Sequence, residues 1–114
     1  MPIMTGNLMT FLNLNDIEVR ELLPGFKVRF IHSDNMTFAH WEIAKGSSLP
    51  GHSHPHEQVA HVLEGEFELT VGNETRILTS ETGAVIPSNV SHSGRAITDC
   101  RIIDTFYPVR EDYR

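Results

Sequence analysis

The strongest restriction on how this chain can fold is a two-residue alternation of apolar and polar side chains, interrupted at short intervals by turn-forming residues. Ile17-Glu-Val-Arg-Glu-Leu22 alternates, and Phe26-Lys-Val-Arg-Phe30 repeats the pattern after the breaker Pro24-Gly25. Thr37 to Ile43 follows, then a turn over Lys45-Gly-Ser-Ser. Gln58 to Leu63 and Glu66 to Val71 flank Glu64-Gly65, and Gly72-Asn73 turns the chain into Arg76 to Thr79. Gly83 to Pro87, Ser91 to Ser93 and Cys100 to Tyr107 complete the series. Side chains two apart share one face of a strand, whereas no stretch carries the longer period of a helix. Evenly spaced short strands with turn chemistry between them predict an all-β, antiparallel, closed or two-sheet structure. The first dozen residues and the tail Val109 to Arg114 are candidates for looser order, or for exchange with a partner subunit.

A chain of 114 residues has room for one core, so a single domain over 1–114 is expected. With 39% hydrophobic and 21% charged residues the composition is that of a soluble globular protein. A net charge of −6 argues against nucleic acid as a partner, because phosphate backbones are held by clustered Lys and Arg. The one cysteine, Cys100, excludes an intramolecular disulfide and a Cys-rich zinc site. Met1 to Thr10 has neither a basic region nor a long apolar run, so no signal peptide, no membrane span and a cytoplasmic location are expected.

Seven histidines is a high number for this length, and three fall in Pro50-Gly-His-Ser-His-Pro-His-Glu-Gln58. In extended chain His52 and His54 point to one side, a spacing suited to two imidazoles on one ion. Gln58 opens the next strand with an amide oxygen as a third donor, and His92 can approach from a facing strand as the fourth. Three imidazoles and an amide oxygen suit a divalent transition metal: Ni, Zn, Fe, Mn, Co or Cu. The competing reading is a surface loop that binds stray metal. His56 shares the parity of the pair and is a candidate for supporting it. His61 falls on the opposite face from Gln58, with Val59 and Leu63, as a packing or interface residue. His32 and His40 carry no motif and read as structural.

These residues carry a family resemblance. His52-x-His54-x3-Gln58-x6-Gly65 resembles the first cupin motif, His-x-His-x(3,4)-Glu-x6-Gly, with Gln in place of Glu. Gly83-Ala-Val-Ile-Pro87-Ser-Asn89-Val-Ser-His92 resembles the second, whose core is Pro-x-Gly-x-x-His. Asn89 stands where the family has Gly, and Asn enters left-handed geometry more readily than other non-Gly residues. The resemblance implies an antiparallel double-sheet jelly-roll barrel of the RmlC-like cupin kind. Its core would span about 36–107, with N-terminal strands over 15–32. Gln58 is neutral, so the full dipositive charge stays on the metal. Such a site binds its ion less tightly than a Glu site but polarises an anionic oxygen more strongly.

On Cys100 to Tyr107 the even positions Cys100, Ile102, Asp104 and Phe106 share a face. If Ile102 and Phe106 point inward, Asp104 is a carboxylate among apolar neighbours, either paired structurally or functional. Phe106 reads equally as plain core. Arg110 reads as a solvated tail charge or as a planar clamp for a substrate carboxylate. Three segments sharpen the resemblance: the 52–58 run, Val62-Leu-Glu-Gly-Glu-Phe-Glu-Leu-Thr70, and Asp104-Thr-Phe-Tyr-Pro-Val-Arg110-Glu-Asp112. They are similar to the pectin-degradation cupins of the KdgF type, which convert 4,5-unsaturated uronates into linear ketonised sugars. The resemblance implies a metal held by His52, His54, Gln58 and His92, with Ni, Zn, Fe, Mn or Co as the ion. It implies catalysis by Asp104, Phe106 and Arg110: Asp104 moves protons between the enol oxygen and C5, Phe106 forms an apolar wall, and Arg110 holds the carboxylate. The sequence departs from that pattern at Thr105, Tyr107, Val109 and His61. Two other classes remain, a non-catalytic sugar-binding or sensor cupin and a metal-dependent dioxygenase, the latter disfavoured by Gln58. Outward apolar residues Val59, Leu63 and Trp41 are candidates for a homodimer surface.

Overall fold

The computed structural model describes residues 10–114. Ten antiparallel strands form two sheets. They are β1 (Arg20–Leu23), β2 (Phe26–His32), β3 (Thr37–Ile43), β4 (Ser48–His52), β5 (Glu57–Glu64), β6 (Phe67–Val71), β7 (Glu74–Leu78), β8 (Gly83–Ile86), β9 (His92–Ala96) and β10 (Cys100–Tyr107). One sheet has the order β1-β2-β3-β10-β5-β8, and the other β4-β9-β6-β7. The two face each other as a jelly-roll barrel, as the alternation and the cupin motifs predict. Among the described residues the only helical pieces are 3-10 turns at Leu14–Asp16 and Glu111–Tyr113. No helix there is long and apolar enough to cross a membrane.

The period-2 pattern is realised residue by residue. In β5, Gln58, Ala60 and Val62 are buried while Val59, His61 and Leu63 are exposed. In β10, Cys100, Ile102 and Phe106 are buried and Arg101 and Tyr107 are exposed. The inward side chains Phe26, Ile43, Val62, Phe67, Leu69 and Ile86 form the main apolar core. Removing such side chains from water is the principal force closing the barrel. Gly65 turns β5 into β6 at φ +90°, and a Cβ there would collide with the Asp99 carbonyl. That turn therefore requires glycine.

Four expectations are corrected. The alternation from Ile17 yields a strand only from Arg20, because Asn13 accepts the Asn15 N–H (3.0 Å) and starts a 3-10 turn whose end is Ile17. Ser48–His52 is a strand where only a turn and a loop were expected. Trp41 does not face outward: it packs on Phe26 and Phe30, on the same face of β3 as Ala39 and Ile43. The tail is not loose. The Arg110 N–H donates to Thr37 Oγ1 (2.8 Å), Tyr113 stacks on Phe30 at 4.5 Å, and the Arg20 guanidinium donates to the Tyr113 carbonyl. The expectation for the first dozen residues falls mainly outside the described residues.

Candidate metal centre

Two strand ends and one loop bring the histidines together. His52 closes β4 and is in register with His92, which opens β9. The β8–β9 turn passes through Asn89 at φ 64°, the left-handed geometry for which the motif ordinarily uses Gly. From there the Asn89 N–H donates to the His54 carbonyl (2.8 Å), and the Ser88 hydroxyl donates to the Pro55 carbonyl (2.6 Å). These two bonds tie the turn that carries His92 to the loop that carries His54. Ring centroids lie 4.2 Å apart for His52–His92 and 4.9 Å apart for His54–His92. One nitrogen from each of His52, His54 and His92 lies within 4.8 Å of the others, a group able to hold a metal ion.

The ring tautomers follow from the backbone. Nδ1 of His52 lies 3.0 Å from the Pro50 carbonyl, Nδ1 of His54 2.9 Å from the His56 carbonyl, and Nδ1 of His92 3.0 Å from the Val90 carbonyl. A carbonyl only accepts, so each Nδ1 donates and each Nε2 keeps its lone pair. Burial, with the Arg110 charge adding to it, holds His54 well below the usual imidazole range, at about 4. Burial lowers His92 as well. Both rings are therefore neutral donors at neutral pH. The His92 Nε2 is buried with no hydrogen-bond partner among the described residues. A buried lone pair without a partner fits a ligand atom better than a structural one.

Gln58 completes the set from β5. Its Oε1 lies 3.1 Å from the His54 Nε2, so two lone pairs face each other. Turning the amide over would set its oxygen toward the Asp104 carboxyl, whose pKa the Gln58 side chain lowers as placed. The donor set thus fits a cation shared by three imidazoles and one amide oxygen.

Behind Gln58 stand the residues of β10 and the tail. Phe106 is in register with Gln58 and Asp104 with Ala60. Asp104 is partly accessible, and the cavity it lines receives that exposure. Burial pushes its carboxyl up to about 6 against the lowering effect of Gln58, Trp41 and Arg110. The Trp41 Nε1 helps to lower it without reaching full hydrogen-bond geometry. Phe106 sits 5.6 Å from His54, ring to ring. Arg110 is buried, its guanidinium 4.7 Å from the Phe106 centroid and 4.1 Å from that of Tyr113. Its Nε and Nη2 meet the Asp112 carboxylate as a fork, at 3.0 and 2.8 Å. All seven expected residues line one cavity of about 320 Å³. His61 is exposed on the outer face, and His56 contributes the carbonyl that orients His54.

Trp41, Asp112 and Tyr113 were not anticipated at this site. Trp41 was legible by parity with Ile43, two residues further along β3. Asp112 and Tyr113 follow a tail with no periodicity, so their approach depends on how the chain folds back.

A double-sheet barrel with an imidazole cluster at its open end defines a class. The cupin domain model matches residues 39–106, and the chain belongs to the cupin family. It is 33% identical to the pectin degradation protein KdgF of Dickeya dadantii (strain 3937) over 96 residues, 82% of this chain and 87% of that one. Among solved structures, an RmlC-like cupin from Shewanella frigidimarina superposes with a TM-score of 0.88 at 29% identity, over 94% of this chain and 97% of the other. KdgF from Halomonas sp. gives 0.87 at 24% identity, covering 94% and 100%.

Proposed function

We propose that this chain is a metal-dependent enzyme that opens and ketonises 4,5-unsaturated uronates of the kind released in pectin and alginate breakdown. The observation that carries the reading is a cluster of three imidazoles, one nitrogen of each within 4.8 Å of the others, sharing one cavity with Asp104, a carboxyl raised to about 6. The similarity to KdgF of Dickeya dadantii supports it.

His52, His54, Gln58 and His92 would hold the ion, with Ni, Zn, Fe, Mn or Co suited to that donor set. Bound there, a divalent metal supplies Lewis acidity toward a hydroxyl or carboxylate oxygen. The remaining chemistry is proton movement. The C1 hydroxyl loses its proton, the bond from C1 to the ring oxygen breaks, and C1 becomes an aldehyde while the oxygen on C5 becomes an enol hydroxyl. That hydroxyl then loses its proton and C4 gains one, leaving a ketone at C5. No co-reactant is needed. Asp104, with a pKa near 6, both accepts and returns a proton close to neutrality. Proton delivery goes to C4, because C5 carries the oxygen; this revises the sequence-based expectation of C5. Phe106 walls the sugar, and Arg110 presents its charge to the substrate carboxylate.

The test follows the enol absorbance of unsaturated galacturonate with metal-loaded protein, with chelator, and with Asp104→Asn. We expect chelator-sensitive loss of absorbance in the wild type, and none in the variant although its metal content is unchanged. Equal turnover by the variant removes Asp104 from the mechanism, and no turnover by the wild type removes the reading.

A further inference from the structure

We infer that the cavity takes an acid with a compact apolar tail: an oxygen-bearing anionic head at the metal end and an aryl or alicyclic group in the barrel below it. The inference rests on the metal-and-acid reading of the polar end and goes beyond the uronate, which accounts for that end alone.

The barrel interior is layered by strand register. Thr37, Phe106 and Gln58 lie level across β3, β10 and β5. One layer in, Ala39, Asp104 and Ala60 are level, and two alanines beside a carboxylate leave open space. The next layer is Trp41, Ile102 and Val62, and beyond it come Ile43 and Cys100. From the facing sheet, His92 is level with Val71, Gly94 with Leu69 and Ala96 with Phe67. Polar side chains therefore end at the Asp104 layer. Beneath it the cavity is walled by Phe26, Trp41, Ile43, Leu69, Leu78 and Ile102. The Trp41 N–H in that wall lowers the Asp104 pKa but has no hydrogen-bond partner among the described residues, so it is the one polar group of that layer. The cavity also reaches Leu22 and Leu23 on edge strand β1 and Leu49 on edge strand β4, so its side opening is apolar too.

Native interiors hold few voids larger than a water, so an apolar space continuous with a charged end is built for an occupant. A pyranose uronate carries hydroxyls around its ring, and those placed below Asp104 would find one donor, the Trp41 N–H, and otherwise lose their hydrogen bonds without replacement. A ring or branched alkyl group placed there loses nothing and leaves water.

The experiment measures binding of lactate, 3-phenyllactate and galacturonate to zinc-loaded protein by calorimetry at several temperatures. Wild type should bind 3-phenyllactate at least about tenfold more tightly than lactate, with the more negative heat-capacity change of apolar burial. Ile102→Phe fills the space under Asp104, and Leu49→Ser removes apolar surface at a half-buried position on edge strand β4. In each folded variant the advantage of 3-phenyllactate should shrink below about threefold while lactate binding holds. Equal affinity for lactate and 3-phenyllactate in wild type overturns the inference. So does galacturonate binding more tightly than 3-phenyllactate, or parallel losses for both acids in the variants. The uronate reading fails separately, through absent turnover of unsaturated galacturonate with the tail preference intact. If 3-phenyllactate binds with equal strength in chelator, the metal-held head is lost while the apolar subsite stands.

Discussion

Gln58 serves two neighbours through one amide: its oxygen faces the His54 Nε2 at 3.1 Å, and its N–H side lowers the pKa of the Asp104 carboxyl. A glutamate there would add negative charge to the metal shell while placing a second carboxylate against Asp104. Two carboxyls in contact hold a proton between them. Gln58→Glu should therefore retain metal about tenfold better in a chelator competition yet turn over more slowly near neutral pH. Unchanged chelator sensitivity would remove Gln58 from the ligand set. Arg110 presents a parallel conflict, because the fork expected to clamp a substrate carboxylate already holds Asp112. Asp112→Asn should lower KM for an acidic substrate several-fold with kcat held, since a neutral amide competes less for the guanidinium. A raised KM would instead make Asp112 the residue that positions Arg110. The same pair is pH-dependent. Its hydrogen bond to Arg110 lowers the Asp112 pKa from 3.8, so its stabilising contribution is full above about pH 4 and is lost as pH falls through the folded value. Wild type and Asp112→Asn should thus differ in Tm at pH 7 and converge in strong acid. Asp112 is about half exposed although Arg110 is buried, so solvent screens the pair and the difference will be small.

Among the elements, strands with one wet face were the legible ones. β5 and β10 alternate cleanly because each turns one face to the cavity and one to solvent, and that asymmetry is written as a period of two. Asp104 was readable as an inward carboxylate for the same reason. β4 was missed because Ser48-Leu-Pro-Gly-His is mostly exposed and carries Pro and Gly, so its pairing with β9 rather than its composition makes it a strand. The 3-10 turn at Leu14–Asp16 depends on a single Asn13 cap that competes with the extended pattern. His52, His54 and Gln58 were legible from local spacing and His92 from its resemblance to the second cupin motif, whereas Asp112 and Tyr113 reach the cavity only through tertiary return of the tail. Turns carry part of the site's precision. Gly65 sits at φ +90° against the Asp99 carbonyl, so Gly65→Ala combines left-handed strain with a backbone clash. Urea unfolding should show a loss of about 2 kcal/mol or more. A loss near zero would mean that the β5–β6 turn relaxes freely.

At the scale of the whole molecule, the six-stranded sheet has an unusual outer face. Val59 and Val85 are register partners on β5 and β8, 44% and 64% exposed, with Leu63 on the same face of β5 and Tyr107 near the end of β10. β8 is a four-residue strand at the sheet edge, with its outer hydrogen-bonding side unpaired among the described strands. Edges and contiguous apolar faces of this kind invite pairing with another β surface, and a twofold contact between copies is the commonest solution. His61 lies between Val59 and Leu63 on that face, which gives an exposed imidazole a place at an interface and not at the metal. We expect the chain to sediment at twice its 12.9 kDa. Val59→Lys combined with Val85→Lys should sediment at the monomer mass, because two cations facing their own symmetry copies repel at close range. The imidazole cluster opens on the opposite, inner face of the sheet, so the monomeric variant should keep the proposed metal binding and turnover. A wild type that is monomeric at micromolar concentration would leave this face without a partner, and a variant that loses metal along with its dimer would show that the two faces of β5 are coupled through the strand.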